Sequence, residues 1–129
     1  MTFIFIDTVR SGAFRLGVLG DKIKVKESVG RSHEILPALA VAASRDILEA
    51  ADGICVVKGP GSYSAVRSGV LIANLLARWH KKPLYGVDVD EAQDLERLRD
   101  ALAHGTIPAQ SYVAPEYDSE PNITVKRTA

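Results

Sequence analysis

Several residues have types and spacings that could do chemistry. His33-Glu34 opens as a zinc-binding His-Glu-x-x-His helix would, with two imidazoles one turn apart on one face. Pro37 stands where the second histidine belongs, so the pair of ligands cannot form. His80 and His104 sit alone near expected helix ends, which leaves no metal site to expect. Gly59-x-Gly61 between an apolar run and a helix suggests a phosphate-binding turn. However, Ser64 replaces the third glycine of the dinucleotide pattern, no Lys-Ser/Thr pair completes a P-loop, and Pro60 removes an N–H that a phosphate would use. A tight structural turn over Gly59, Pro60, Gly61 and Ser62 is the better reading. Ser62 lacks the Gly-x-Ser-x-Gly context of a nucleophile elbow. Asp7, closing the first apolar run, is the best-placed carboxylate, and next to Thr8 it reads as a turn cap. Cys55 is the one cysteine and lies in the apolar run Ile54-Cys55-Val56-Val57, the setting of a packed small hydrophobe rather than a reactive thiol.

The elements that position these residues follow from the pattern of apolar runs and breakers. The chain has 129 residues, 47% apolar and 25% charged, the balance of a soluble one-domain protein. Sixteen basic and sixteen acidic residues cancel, so no net field draws nucleic acid or an anionic membrane. There is no signal-peptide pattern and no apolar run of membrane-spanning length, which gives a cytoplasmic expectation. Phe3 to Ile6, Ala13 to Leu19 and the alternating Lys22-Ile23-Lys24-Val25-Lys26 predict three antiparallel strands, the last two joined at Gly20-Asp21. Ser32 is placed to cap a helix running to about Glu49, with Pro37 in its early turns. Ile54 to Val57 predicts a buried strand, Tyr63 to about His80 a second helix stopped by Pro83, and Leu84 to Val89 another strand. Asp90 caps a third helix, with Leu95, Leu98 and Leu102 on one face and Gly105 as its stop. The order β-β-β-α-β-α-β-α implies a mixed sheet whose later strands are parallel, an α/β domain of the ribonuclease H-like kind.

Both central helices are apolar over more than one face. At about 100° per residue, Tyr63, Arg67, Asn74 and Arg78 share a stripe about 60° wide. Val66, Val70, Leu71, Ile72, Leu75, Leu76, Ala77 and Trp79 fill the rest. In the first helix Ile35, Leu36, Leu39, Ala43 and Ile47 form one face, while Ala38, Val41, Ala42 and Leu48 spread over the other side. Packing the helices side by side hides part of this surface and leaves an apolar outer face, which predicts an oligomer or a heteromeric partner. Val70 and Leu39 are expected to point outward.

The run Lys58-Gly59-Pro60-Gly61-Ser62-Tyr63-Ser64-Ala65-Val66-Arg67-Ser68-Gly69-Val70 resembles the Gly-Pro-Gly-Ser-Phe-Thr-Gly-Leu-Arg-Ile-Gly-Val signature of the TsaB (YeaZ) family. Ile6-Asp7-Thr8, Ser32-His33-Glu34-Ile35-Leu36-Pro37 and Leu84-Tyr85-Gly86-Val87 resemble further family segments, so the likeness spans about residues 2 to 103. Ser64 and Ala65 depart mildly from the family's threonine and glycine. Ala114-Pro115-Glu116-Tyr117 with Asn122-Ile123-Thr124-Val125-Lys126 is similar to the family's C-terminal Pro-x-Tyr segment. Residues 1–105 then correspond to the N-terminal domain and 106–129 to a C-terminal tail, with the family's second domain missing between them.

What the resemblance implies is a non-catalytic member of the actin-like ATPase superfamily. An aspartate at the end of the first strand holds metal and phosphate in that superfamily's sugar kinase and Hsp70-like ATPases, which close a second domain over the nucleotide. TsaB proteins pair through two N-terminal helices with TsaD, the transferase that modifies adenosine in tRNA with threonylcarbamoyl, and an ATPase, TsaE, joins them. The implied contacts for a TsaD-like partner are His33, Leu36, Leu39, Ala40 and Ala43 on the first helix. On the second they are Tyr63, Val66, Arg67, Val70 and Asn74, with Gly69 in or beside the bundle. No catalytic residue, cofactor or metal is expected, tRNA is engaged only indirectly, and a TsaE-like ATPase is a further partner. Two alternatives stay open: a stand-alone homodimeric binding module, since the same surface self-pairs in some relatives, and a residual nucleotide hydrolase or peptidase.

Overall fold

The computed structural model describes residues 1–118. Phe3, Ile4, Phe5 and Ile6 cannot all be buried unless both faces of their strand are covered. They lie in β1 (Phe3–Asp7), the middle strand of a five-stranded sheet in the order β3-β2-β1-β4-β5. β2 (Ala13–Leu19) runs antiparallel to β1, with Phe3 opposite Leu19 and Asp7 opposite Arg15. β3 (Ile23–Val29) continues the meander to one edge, where Lys22, Lys24 and Lys26 are exposed. β4 (Gly53–Gly59) and β5 (Leu84–Asp88) extend the other side in parallel. This is the expected mixed sheet.

Helices cover both faces. The 3-10 turn Ser32–Glu34 leads into α1 (Ile35–Ala42), which packs with α3 (Tyr63–His80) against Ile4, Ile6, Ile54 and Val56. Across the sheet, α4 (Leu95–Ala103) buries Leu98 and Leu102 on Phe3, Phe5, Cys55 and Val57. Residues that alternate along β1 and β4 therefore feed two separate apolar clusters.

Two boundaries differ from expectation. The first helix does not continue to Glu49: Ala43 is extended, Ser44 accepts from the Ile47 N–H, and a new helix α2 (Arg45–Ala50) begins. Ser44 exercises its preference for an N-cap inside what reads as one helix, while Pro37 sits harmlessly in the first turn of α1. The third helix starts later, capped by Asp94, whose carboxylate accepts from the Arg97 N–H at 3.1 Å. Asp88 and Glu91 first close a turn of their own, each carboxylate accepting the other's backbone N–H.

The polar, Pro-rich stretch after α4 is a strap across one end of the domain. Gln110 N–H donates to Leu84 O at the β5 edge, and Val113 is fully buried. The Asn74 side-chain amide serves Val113 as a strand neighbour would, donating to its carbonyl at 2.9 Å and accepting its N–H at 3.0 Å. Glu116 N–H donates to Lys58 O, its carboxylate pairs with Lys58 at 3.3 Å, and the Tyr117 ring lies 4.6 Å from that of Tyr63. The Asn122–Lys126 segment likened above to the family's C-terminus lies outside the described residues.

α3 reaches its seat on the sheet through small residues. Val66, Gly69, Val70, Ala73 and Ala77 face inward, and a Cβ at Gly69 would collide with the Thr8 side chain. Thr8 in turn donates from Oγ1 to Ala65 O at 2.6 Å. Gly69 thus serves the intramolecular helix–sheet contact and not a helix bundle with a partner. Gly69→Ala is expected to lower unfolding free energy by about 1–3 kcal/mol through overpacking, although alanine is the better helix former by about 1 kcal/mol. An unchanged denaturant midpoint would show that α3 does not seat this closely.

Candidate functional site

The turn between β4 and α3 is closed by the protein itself. Gly59 has φ 129°, and a Cβ there would strike the Glu116 carbonyl of the strap. The turn's carbonyls are taken as well: Gly59 O accepts from Val89 N–H at 3.0 Å and Gly61 O from Asp118 N–H at 3.1 Å. Ser62 N–H donates to Val9 O at 3.1 Å, and its hydroxyl is buried with no hydrogen-bond partner among the described residues. Gly59, Pro60, Gly61 and Ser62 therefore lie in a turn held by the strap and by the backbone at Val9 and Val89.

Asp7 is equally committed. Its Oδ2 accepts from Arg15 Nε at 2.8 Å and pairs with Nη2 at 2.7 Å, while its Oδ1 accepts from the Val9 N–H at 3.1 Å. The cap therefore runs to Val9 and not through Thr8. Arg15 is held in place by the Ala92 carbonyl and by the Phe5 ring, 5.3 Å from its guanidinium carbon. Both oxygens that could meet a cation are engaged by this chain's own groups. Among the described residues no three His, Cys, Asp or Glu side chains gather as metal ligands. Cys55 is fully buried, and desolvation, with the charges of Glu91 and Asp7 adding to it, pushes its thiol pKa well above the usual range, so it is held as the neutral thiol.

The remaining candidate is the outer face of α1 and α3. Of the contacts expected there, Leu39, Ala43, Val66 and Val70 are buried in the domain's own core, Val66 at 0% and Val70 at 2% exposure. They face the sheet, so the outward assignment of Val70 and Leu39 is corrected. Asn74 is also withdrawn from the surface set, because its amide is spent on Val113. His33, Leu36, Ala40, Tyr63 and Arg67 remain outside. Tyr63 and Arg67 form a unit, with the Arg67 guanidinium 5.2 Å from the Tyr63 ring centre.

The strongest outward residues are ones that the expected set left out. Leu71, Leu75 and Trp79 are 57%, 58% and 82% exposed, one turn apart along α3. Leu36 of α1 and Ile47 of α2 are also exposed, whereas the exposed Val41 turns toward β3. A groove of ≈480 Å³ between the helices is lined by Leu36, Ala40, Leu76 and Trp79, with Arg45 and His80 at one end. Size was the signal that could have sorted the two faces. The inward positions are Gly, Ala and Val, which allow close approach, whereas the bulky Leu and Trp residues fall on the opposite phase of the helix.

The architecture defines the class: a ribonuclease H-like α/β domain whose described residues leave an apolar helix face exposed. Residues 28–106, from the end of β3 past α4, match the family described as "TsaD: tRNA N6-adenosine threonylcarbamoyltransferase", and the chain belongs to that family. Among solved structures it is similar to YeaZ from Pseudomonas aeruginosa, with 23% identity and a TM-score of 0.61 over 68% of this chain and 43% of that one. A second P. aeruginosa structure, titled an uncharacterized protein with similarity to peptidase YEAZ, matches with 24% identity and a TM-score of 0.56. It covers 67% of this chain and 43% of that chain. These likenesses show the fold, and the resemblance to TsaB (YeaZ) read from the signature is borne out. The chain spans less than half the length of either structure.

The face assignment has a direct check. Val70→Asp puts an unpaired charge into the core and is expected to abolish cooperative unfolding, whereas Leu75→Asp leaves the melting temperature within a few degrees of the parent. Circular dichroism melts of both variants decide it. A folded Val70→Asp or an unfolded Leu75→Asp would reverse the helix's phase.

Proposed function

We propose that this protein is a non-catalytic partner subunit of the machinery that puts threonylcarbamoyl-adenosine into tRNA, docking on a TsaD-like transferase through the outer face of α1 and α3. The observation that carries this reading is the Leu71–Leu75–Trp79 stripe beside Leu36, a run of bulky apolar side chains left in water. Monomeric proteins rarely keep such a contiguous patch without a binding role. Aromatic and large aliphatic anchors at the centre of a face are what a stable protein contact uses.

The non-catalytic part rests on Asp7 and on the turn at Gly59-Pro60-Gly61-Ser62. With both Asp7 oxygens held by Arg15 and Val9, and the turn stitched to the strap, the groups that a nucleotide enzyme of this fold would use are engaged in holding the domain together. This weighs against a residual hydrolase. The strap is read as the counterpart of the family's C-terminal segment, which lets residues 1–118 stand as one packed unit around the helix face. A TsaE-like ATPase would join through the paired assembly, and tRNA would be engaged by the transferase.

Size-exclusion chromatography with light scattering, on the chain mixed with the TsaD-like transferase of the same genome, tests the reading. A stable heteromer is expected, and Leu75→Asp or Trp79→Ala should weaken it by tenfold or more without loss of fold. Adding the chain should raise threonylcarbamoyl-adenosine formation in a mixture of tRNA, threonine, bicarbonate and ATP. If no complex forms, or if Leu75→Asp pairs as well as the parent, the helix face is not the docking surface.

A further inference from the structure

The strap is held mostly by its backbone. From Gln110 to Asp118 only Val113 is buried, while Gln110, Ser111, Tyr112, Ala114, Glu116 and Asp118 are exposed. Its main-chain groups are read at intervals by three elements of the domain. Leu84 O on β5 accepts from Gln110, Lys58 O on β4 from Glu116, and Gly61 O just past β4 from Asp118. The Asn74 amide on α3 serves both the N–H and the carbonyl of Val113, and its own donation to Val70 O at 2.8 Å sets its orientation from within the helix. Gly86 leaves the space that Val113 fills, since a Cβ there would meet both valine methyls. Three residues on, the Glu116 carboxylate meets Lys58. Upstream, Ile107 packs into the cluster on the other face of the sheet, and the exposed Pro108 and Ala109 join the two. An extended peptide is read in a groove in this way: main-chain bonds hold it, and a pocket selects its side chain. One buried side chain among exposed neighbours also marks a segment that opens at a free energy below that of global unfolding.

We infer that the strap is a latch occupying a peptide groove. Residues 110–118 leave and return as one unit, and Asn74 is the keystone. The folded domain left behind carries a groove for an extended segment with a β-branched anchor and a carboxylate three residues further on. The chain fills this groove with its own strap, and a segment of the same chemistry from another protein competes for it. Asn74 holds the unit together because both main-chain groups of the one buried residue depend on its amide. Without that amide they are buried unpaired, and the bonds on either side lose their register. The groove lies apart from Leu71, Leu75 and Trp79, and the inference stands whether or not that face docks on a transferase.

Hydrogen exchange of the whole chain, followed by NMR, tests the unit. The Gln110, Val113, Glu116 and Asp118 amides are expected to share one opening free energy and to be roughly tenfold or more less protected than those of β1 and β4. Asn74→Leu should lower all four together and leave β1 and β4 as they were. If Val113 alone responds, or if β1 and β4 lose protection equally, the strap is not a latch. Val113→Ala tests the groove from the other side, weakening the occupant and sparing the groups that hold it. A labelled synthetic peptide of residues 107–118 should bind this variant roughly tenfold or more tightly than it binds the parent, whose groove is filled. Peptides carrying Val113→Ala or Glu116→Lys should bind more weakly. Equal binding to variant and parent, no binding to either, or indifference to the peptide substitutions overturns the groove.

Discussion

Gly69 of α3 lies against the Thr8 side chain, just past the end of β1, with no room for a Cβ. The Thr8 side chain fills the space that a Cβ would take, and its hydroxyl donates to the Ala65 carbonyl. That contact sets the depth and rotation of α3, and other features follow from it. With Val66, Val70, Ala73 and Ala77 turned to the sheet, Leu71, Leu75 and Trp79 have nowhere to go but outward. Asn74 is brought alongside the strap, and the start of the helix lies over the turn from β4. The small residues of the Gly-Pro-Gly-Ser signature and the glycine further along are thus a docking code between helix and strand. The code works within the chain, and its product is the face that a partner would see.

Much of this was legible in the sequence, for identifiable reasons. β1, β4 and α3 are bounded by Gly, Pro and Asp, and their apolar runs have lengths that admit one reading. The break at Ala43-Ser44 was hidden because alanine and serine continue a helix as readily as they end one. Asp90 and Asp94 are both acceptable caps, and local chemistry alone does not choose between them. The path of the strap is not legible in the sequence because its bonds are remote: Val113 is satisfied by an amide 39 residues away. The site was harder than the fold. Where both sides of a helix are apolar, hydrophobicity does not say which side is the core, so Val66 and Val70 read as surface residues, and only their small volume beside Leu75 and Trp79 points inward.

Asp7 shows how a residue can keep its place in a fold while its bonds serve another purpose. The end of the central strand is where loops from three elements meet, and a bare carboxylate there would be costly to bury. Arg15, directly across the ladder on β2, supplies the counter-charge and is itself braced by Phe5 and the Ala92 carbonyl. The pair closes the end of the sheet. Its chemistry is that of a clasp.

The strap has one more consequence. By laying Gln110 along β5 it occupies one margin of the sheet, and the other margin, β3, is studded with Lys22, Lys24 and Lys26, which discourage an incoming strand by charge and by hydration. Lateral growth of the sheet is thereby blocked in both directions. Among the described residues, association is then left to side-chain faces, the Leu71–Leu75–Trp79 stripe foremost among them.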